Sequence, residues 1–493
     1  LHRRRHSFPT RRSSDLLGGI FFGAVTDFGA LYASVKNEGK SMGLLIEQYI
    51  GKTGKKLFLL FCWLFTLIVT AAFADMVAGT FNAYETVDGV TSLSAAATVN
   101  GAAGSISLLF IAFAVVFGLI QKKAQFHGWK QTMLGLVCTV AAFVIGMNCP
   151  LITTKANWSY MVFAYIFLAA VLPMWLLMEP RDLMTTFMFA GMIIGAVVGL
   201  LVAHPAMNLA PYTGFHNEKS GDLFPILFVT VACGAVSGFH ALVSSGTASK
   251  QIKNEKNMLP VSFGAMLMES MLAIIALIAV ASFAKGEAAA QGLTTQPQIF
   301  AGAIANFLEV IGLPHTLVFT LINLAVSAFA LTSLDSVARV GRLSFQEFFQ
   351  DNDVDEKDYT PFRKLMVNKY FATILTLVLA YLLAKVGYAE IWPLFGSANQ
   401  LLSVLALVAC AVFLKKTKRQ GIMLWAPAVF MMAVTFSALG LTIYKLFGAL
   451  MTTGLDLGNT LQLIFAVLLL ILGVIVAVQG IKKLFEKPQE KAA

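Results

Sequence analysis

The feature that most constrains this chain is a succession of apolar runs, each about as long as the ~20 helical residues needed to cross a bilayer. Thirteen can be marked, at about 17–35, 57–78, 104–120, 131–147, 159–178, 184–204, 225–245, 262–284, 315–334, 370–387, 398–414, 422–444 and 459–480. The short alternating pattern of a membrane β-barrel is absent, so the runs read as helices. Only 13% of the residues are charged and 58% are hydrophobic, whereas a soluble domain is roughly a quarter charged. The expected fold is an all-α polytopic membrane protein of about thirteen helices, with lipid as its principal surroundings.

Charge tests the segmentation. Of the 36 Lys and Arg, five Arg precede the first span. The spans place Lys155, Lys219, Lys285, Lys385 and Lys445 on one side, and the remaining twenty-six on the other, among them Lys52, Lys122, Lys250, Arg342, Lys415 and Lys482. The basic side, with the carboxyl terminus, is expected to be cytoplasmic. The net charge of +10 therefore belongs to that surface and to the amino terminus, and points to no nucleic-acid partner. The opening LHRRRHSFPTRRSSDL breaks the charge rule, and no apolar leader precedes it, so residues 1–15 read as a non-native segment. Residues 16–493 then form one polytopic domain with an inner soluble loop at about 335–369. The five cysteines have no paired spacing and read as small buried hydrophobes.

FPILFVTVACGAVSGFHALVSSG, 224–246, is long enough to cross a bilayer yet polar at mid-depth. Ser237, His240, Ser244 and Thr247 recur at three, four and three, one face of a helix, with Ser245 beside them. An unpaired polar group in hydrocarbon costs a few kcal/mol, so the stripe should face protein or water. Gly234 and Gly238, with the hydroxyls, suit a broken helix whose backbone groups meet protein or ligand. His240 is either a satisfied core histidine or a group that titrates near neutrality.

Acids within spans are the other candidates. Asp27 faces the bundle interior, as a coupling group or as an acceptor for hydroxyls; Glu269 lies one third into its span, on a face with Ser262 and Met266. Asp75 sits in the last turns of the second span. Thr332 and Asp335 form an inner gate, or Asp335 pairs locally with Arg339 at i,i+4. Glu179, Arg181 and Asp182 read as a charged turn in which Asp182 caps the next helix. Pro393 and Gly396 are expected to break the chain, leaving Asn399 and Gln400 at a helix start as a cap or as donors to a carboxylate-bearing solute. QPQIFAGAIANFLEVIGL, 296–313, is too short to cross and reads as a re-entrant or interfacial helix. His204, His216 and Asp222 lack metal-ligand spacing. No GxxxxGK[ST], HExxH or GxSxG occurs, so no nucleotide-binding or hydrolytic site, cofactor or metal is expected.

These pieces resemble the carbon starvation protein (CstA) family of bacterial inner-membrane transporters: GAVTDF at 23–28, AAFADMVAGTF at 71–81, PRD at 180–182, FPILFVTVACGAVSGFHALVSSGT at 224–247, GAMLMES at 264–270, FALTSLD at 329–335 and WPLFGSANQLLS at 392–403. The 224–247 block and WPLFGSANQLL are the specific ones. The resemblance implies uptake of short peptides, or of pyruvate with protons, during carbon limitation. It also implies kinship with broken-helix, inverted-repeat transporters of the APC/LeuT kind, and further spans upstream of GAVTDF with a GPxxGP-type segment. The expected function is secondary active transport by alternating access. The candidate path or coupling residues are Asp27, Asp75, Ser237, His240, Ser244, Ser245, Glu269, Thr332, Asp335, Asn399 and Gln400. A channel would need a filter of carbonyls or like charges, and a sensor a larger soluble mass; neither pattern is present.

Overall fold

The computed structural model describes residues 17–486 except 88–89, 95, 126–127, 211, 213, 218–220, 285, 294, 351–355, 420 and 455. The segment 1–15, Lys219 and Lys285 lie outside the described residues. Eighteen α-helices are described. They are α1 (Ala24–Lys36), entered through a wide turn at Gly19–Gly23, α2 (Met42–Tyr49), α3 (Lys52–Thr80), α4 (Ala97–Ala124), α5 (Trp129–Asn148), α6 (Lys155–Val171), α7 (Met178–Ala203), α8 (Phe228–Val231), α9 (Gly238–Gly246), α10 (Ala265–Ser282), α11 (Glu287–Ala290), α12 (Gln296–Glu309), α13 (His315–Phe349), α14 (Pro361–Val367), α15 (Lys369–Ala384), α16 (Tyr388–Lys416), α17 (Ile422–Thr453) and α18 (Leu457–Phe485). Two small antiparallel hairpins, Tyr84–Val87 with Val90–Leu93 and His216–Asn217 with Gly221–Asp222, lie in connections. The chain is an all-α polytopic membrane protein.

Among the described residues nine helices are long and apolar enough to cross a membrane, or ten if α14 and α15, bent by 67°, count as one. The count of thirteen is not confirmed. The other expected spans are helical but short or interrupted: 17–35 is a wide turn followed by the 13 residues of α1, α6 has 17 residues, and 225–245 is broken. The bend between α14 and α15 has a local cause. Asn368 leaves the helix at φ −63°, ψ 125°, and its side chain accepts the amides of Tyr370 and Phe371, starting α15 anew. Segment 296–313 forms the 14-residue α12, closed by a Thr295–Gln298 capping box and buried on most sides.

The chain divides into two compact units. The first comprises the described residues of 17–72, 211–274 and 340–486. Its centre is α16, which is almost wholly buried and packs against α1, α9, α17 and α18. Pro393 and Gly396 do not break this helix, contrary to the expectation from sequence. Pro393 falls in its second turn, and the helix continues through it in buried surroundings. The second unit, residues 73–210 and 275–339, packs α4, α5 and α7 on one another and α12 on α7. Close approach here uses glycine where nothing larger fits: a Cβ on Gly104 would strike the Trp158 ring.

Candidate functional site

The site in the first unit is built on the break in segment 223–246. After the turn Ala232–Gly234 the backbone leaves the helix, Ser237 is extended at φ −132°, ψ 125°, and α9 begins at Gly238. The run ACGAVSG supplies two glycines, poor helix formers, at the place of fracture. The polar backbone groups freed by a break need partners. Ser270 donates its hydroxyl to the Gly234 carbonyl at 3.1 Å. Asn399, eleven residues inside α16, accepts the Phe239 amide at 2.9 Å and donates to Ser237 Oγ at 3.1 Å and to Cys233 Sγ at 3.5 Å. Asn399 thus caps α9 rather than its own helix, which corrects the reading of it as a residue at a helix start. Gly238 permits this approach, since a Cβ there would meet the Asn399 carbonyl and the Ser403 amide.

His240, in the first turn of α9, stands between two carboxylates. Its Nδ1 is 3.1 Å from Asp27 Oδ2 on α1, and its Nε2 is 3.0 Å from Glu269 Oε2 on α10. The side chains of His240, Asp27 and Glu269 are 30%, 5% and 33% exposed, and Asp27 Oδ1 is buried without a partner. The packing that brings α1 here depends on Gly19 and Gly23, whose added Cβ atoms would meet Ser270 Oγ and the Ala235 carbonyl. Each contact between a ring nitrogen and a carboxylate needs one hydrogen, supplied by either side. With two hydrogens shared, the three groups carry a net charge of −1 wherever those hydrogens sit. One further proton on a carboxylate makes the cluster neutral.

A second buried cluster lies wholly within the other unit. Arg181 Nη1 donates to Asp335 Oδ2 and to the Tyr165 hydroxyl, and that hydroxyl donates to the same Asp335 oxygen. The Arg181 and Asp335 side chains are each 2% exposed, and Arg181 Nη2 also reaches the Ala328 carbonyl at 3.3 Å. Asp335 does not form its expected salt bridge with Arg339. Arg339 instead donates to the carbonyls of Ala169 and Leu172 at 2.7 and 2.9 Å, where the end of α6 leaves acceptors unpaired. Nor does Asp182 cap α7: the helix begins at Met178 with no side-chain cap, and Asp182 is its fifth residue. The sequence reads Arg181 only as part of a charged turn with Glu179 and Asp182, and it does not single out Tyr165. The signal available was that a carboxylate within a span requires a cation, and Arg339 was merely the one nearest in sequence.

The remaining candidates separate. Asp75 pairs with Lys155 at 2.7 Å, in the second unit. Thr332 bonds back to the Ala328 carbonyl at 3.0 Å. Ser244 is buried; the Ser245 hydroxyl bonds to the Ala241 carbonyl at 2.8 Å, and the Ser245 carbonyl accepts from Ser34 at 2.9 Å. Gln400 is completely buried with both amide atoms unpartnered. Ser237 and Ser244 are buried while His240 is partly exposed, and because Ser237 precedes α9 in extended backbone the three do not form one helical stripe. Among the described residues no group of three or more His, Cys, Asp or Glu could hold a metal ion.

The chain is 29% identical to the peptide transporter CstA of Escherichia coli, over 82% of this chain and 65% of that protein. It is 28% identical to CstA of Bacillus subtilis, over 95% and 82%, and 27% identical to the pyruvate/proton symporter BtsT of E. coli, over 87% and 70%. The chain thus spans about two thirds of the length of the E. coli relatives it matches. Among solved structures, a manganese transporter of Eremococcus coleocola aligns over 95% of each chain at 10% identity with a TM-score of 0.37. The family profile described as carbon starvation protein CstA matches residues 16–292 and 284–438, and the chain belongs to that family.

Proposed function

We propose that the chain carries the transport core of a proton-coupled secondary transporter that imports short peptides or pyruvate-like carboxylates across a bacterial inner membrane. The observation that carries this reading is His240 held between Asp27 and Glu269 beside a broken helix. A half-open, multi-proton cluster at unwound backbone is the arrangement that couples a proton to a solute in a bilayer. Uptake of one proton neutralises the cluster, and that change of charge is the switch between its two states. The solute lies at the unwound backbone 235–237, where Ser237 and the amino-terminal end of α9 face Asn399. The family's named peptide and pyruvate transporters support the solute class, and the broken segment supports an inverted-repeat design. The excess of Lys and Arg on one set of connections supports a cytoplasmic carboxyl terminus.

The test is uptake of radiolabelled pyruvate and of dialanine into proteoliposomes, with and without an imposed pH gradient. Wild-type uptake should rise with an inward proton gradient, and Glu269→Gln should remove that dependence while the purified protein stays folded. Uptake indifferent to the gradient in the wild type would sink proton coupling.

A further inference from the structure

A cavity of about 410 Å3 lies in the first unit at the end of α18, against the start of α3. Gly51, Lys52, Thr53, Gln479, Lys482 and Lys483 line it. Its one carboxylate, Glu486, is already engaged by Lys483 at 2.7 Å. The beginning of α3 adds the partial positive charge of a helix amino terminus. The pocket is therefore cationic and fits a phosphate.

A second observation says what that phosphate is attached to. Ile464, Leu468, Ile471, Ile475 and Val478 are each between 39% and 50% exposed. They are spaced by four, three, four and three, one stripe along α18, and the next position in register is Lys482. The stripe is about 20 Å long at the ~1.5 Å rise of a helix, somewhat more than the ~15 Å of one leaflet's hydrocarbon. Phe485, three residues beyond Lys482, is 83% exposed, as befits an aromatic side chain at the membrane boundary. An apolar strip that ends in a lysine-lined pocket has the shape of a lipid: tails above, charged head below.

We propose that this pocket binds the headgroup phosphate of an anionic phospholipid whose acyl chains lie along the exposed stripe of α18. Basic pockets between membrane helices at the cytoplasmic face take anionic headgroups in this way, and the site stands independently of which solute is transported. A free phosphate shares the head chemistry but has no use for the stripe.

The experiment is native mass spectrometry of the full chain in detergent, titrated with dioleoylphosphatidylglycerol, dioleoylphosphatidylcholine or inorganic phosphate. Phosphatidylglycerol should be retained in preference to phosphatidylcholine, and millimolar phosphate should not displace it. Each lysine removed should weaken retention about fivefold, so that Lys482→Gln with Lys483→Gln gives roughly twenty-five-fold. Lys56→Gln, an exposed lysine of α3 that does not line the pocket, should leave retention unchanged. Gel filtration of each variant checks that these exposed substitutions leave the fold intact. Equal retention of the two lipids, an unaffected double variant, or displacement by phosphate alone would each overturn the assignment.

Discussion

Among the described residues each unit holds a cluster of three polar groups that includes charge, His240 with Asp27 and Glu269 in the first and Arg181 with Asp335 and Tyr165 in the second, and the two are built on opposite principles. In the first, a histidine lies between Asp27 and Glu269 with a third of its surroundings open, and its protons can be redistributed or added to without breaking geometry. In the second, Arg181 meets Asp335 and Tyr165 with both charged side chains 2% exposed. A guanidinium keeps its proton at any physiological pH, so that cluster cannot answer to protons by losing one from Arg181. Partial opening around a titratable ring leaves its charge able to change, as the proposed coupling requires. Complete sealing around a permanent cation belongs to a joint whose integrity depends on not changing.

The largest effect should come from breaking the sealed pair on one side only. Arg181→Met or Asp335→Leu alone leaves an uncompensated buried charge and should cost about 3–5 kcal/mol, read as a fall in thermal stability of the purified protein. The double variant, Arg181→Met with Asp335→Leu, removes both charges and should recover most of that loss. If the double is as unstable as the sum of the singles, the two groups are not partners. The comparison is then wrong at its root.

How much of this was legible beforehand follows from the range over which each interaction acts. The membrane class, the fracture near Gly234 and Gly238, and the three members of the open cluster were readable, because burial of polar residues in apolar runs is a local signal. Their meeting was not, since Asp27, His240 and Glu269 come from three separate helices. The sealed cluster was misread for the same reason: helix periodicity offers Asp335 only Arg339, while its partner Arg181 is 154 residues away in sequence. Pro393 was over-read as a break, because a proline's local penalty is outweighed when the helix around it is the most enclosed in its unit. The count of thirteen spans is not confirmed as continuous helices, because hydropathy does not register an interruption such as residues 235–237.

A smaller effect on stability, though a larger one on function, is expected at the open cluster. His240→Gln removes a charge-assisted link to two carboxylates, a loss of about 1–2 kcal/mol after allowance for its exposure. Stability should therefore fall less than for either single variant of the sealed pair. Proton-driven uptake in proteoliposomes should drop at least tenfold, while solute exchange at equal pH on both sides persists. Thermal stability and the two transport assays on one preparation separate these outcomes. Should His240→Gln unfold the protein as readily as Asp335→Leu does, the distinction between an adjustable cluster and a fixed one fails.

The smallest effect concerns the cap that holds the fracture beside the open cluster. Asn399 combines an acceptor for the Phe239 amide with donors to Ser237 Oγ and Cys233 Sγ. Asn399→Ala deletes both and should cost about 1 kcal/mol, the usual worth of a helix cap. Asn399→Asp keeps an oxygen for the amide but loses the donors, so stability measured by thermal unfolding should lie between wild type and Asn399→Ala. The aspartate keeps an acceptor for the Phe239 amide and for the Ser237 hydroxyl, so the intermediate value isolates what the two lost amide donors to Ser237 and Cys233 contribute. If both variants unfold together, the donor side holds the break and the amide contact contributes little. The charged neighbour of a switch would then be positioned by a serine rather than by a helix terminus.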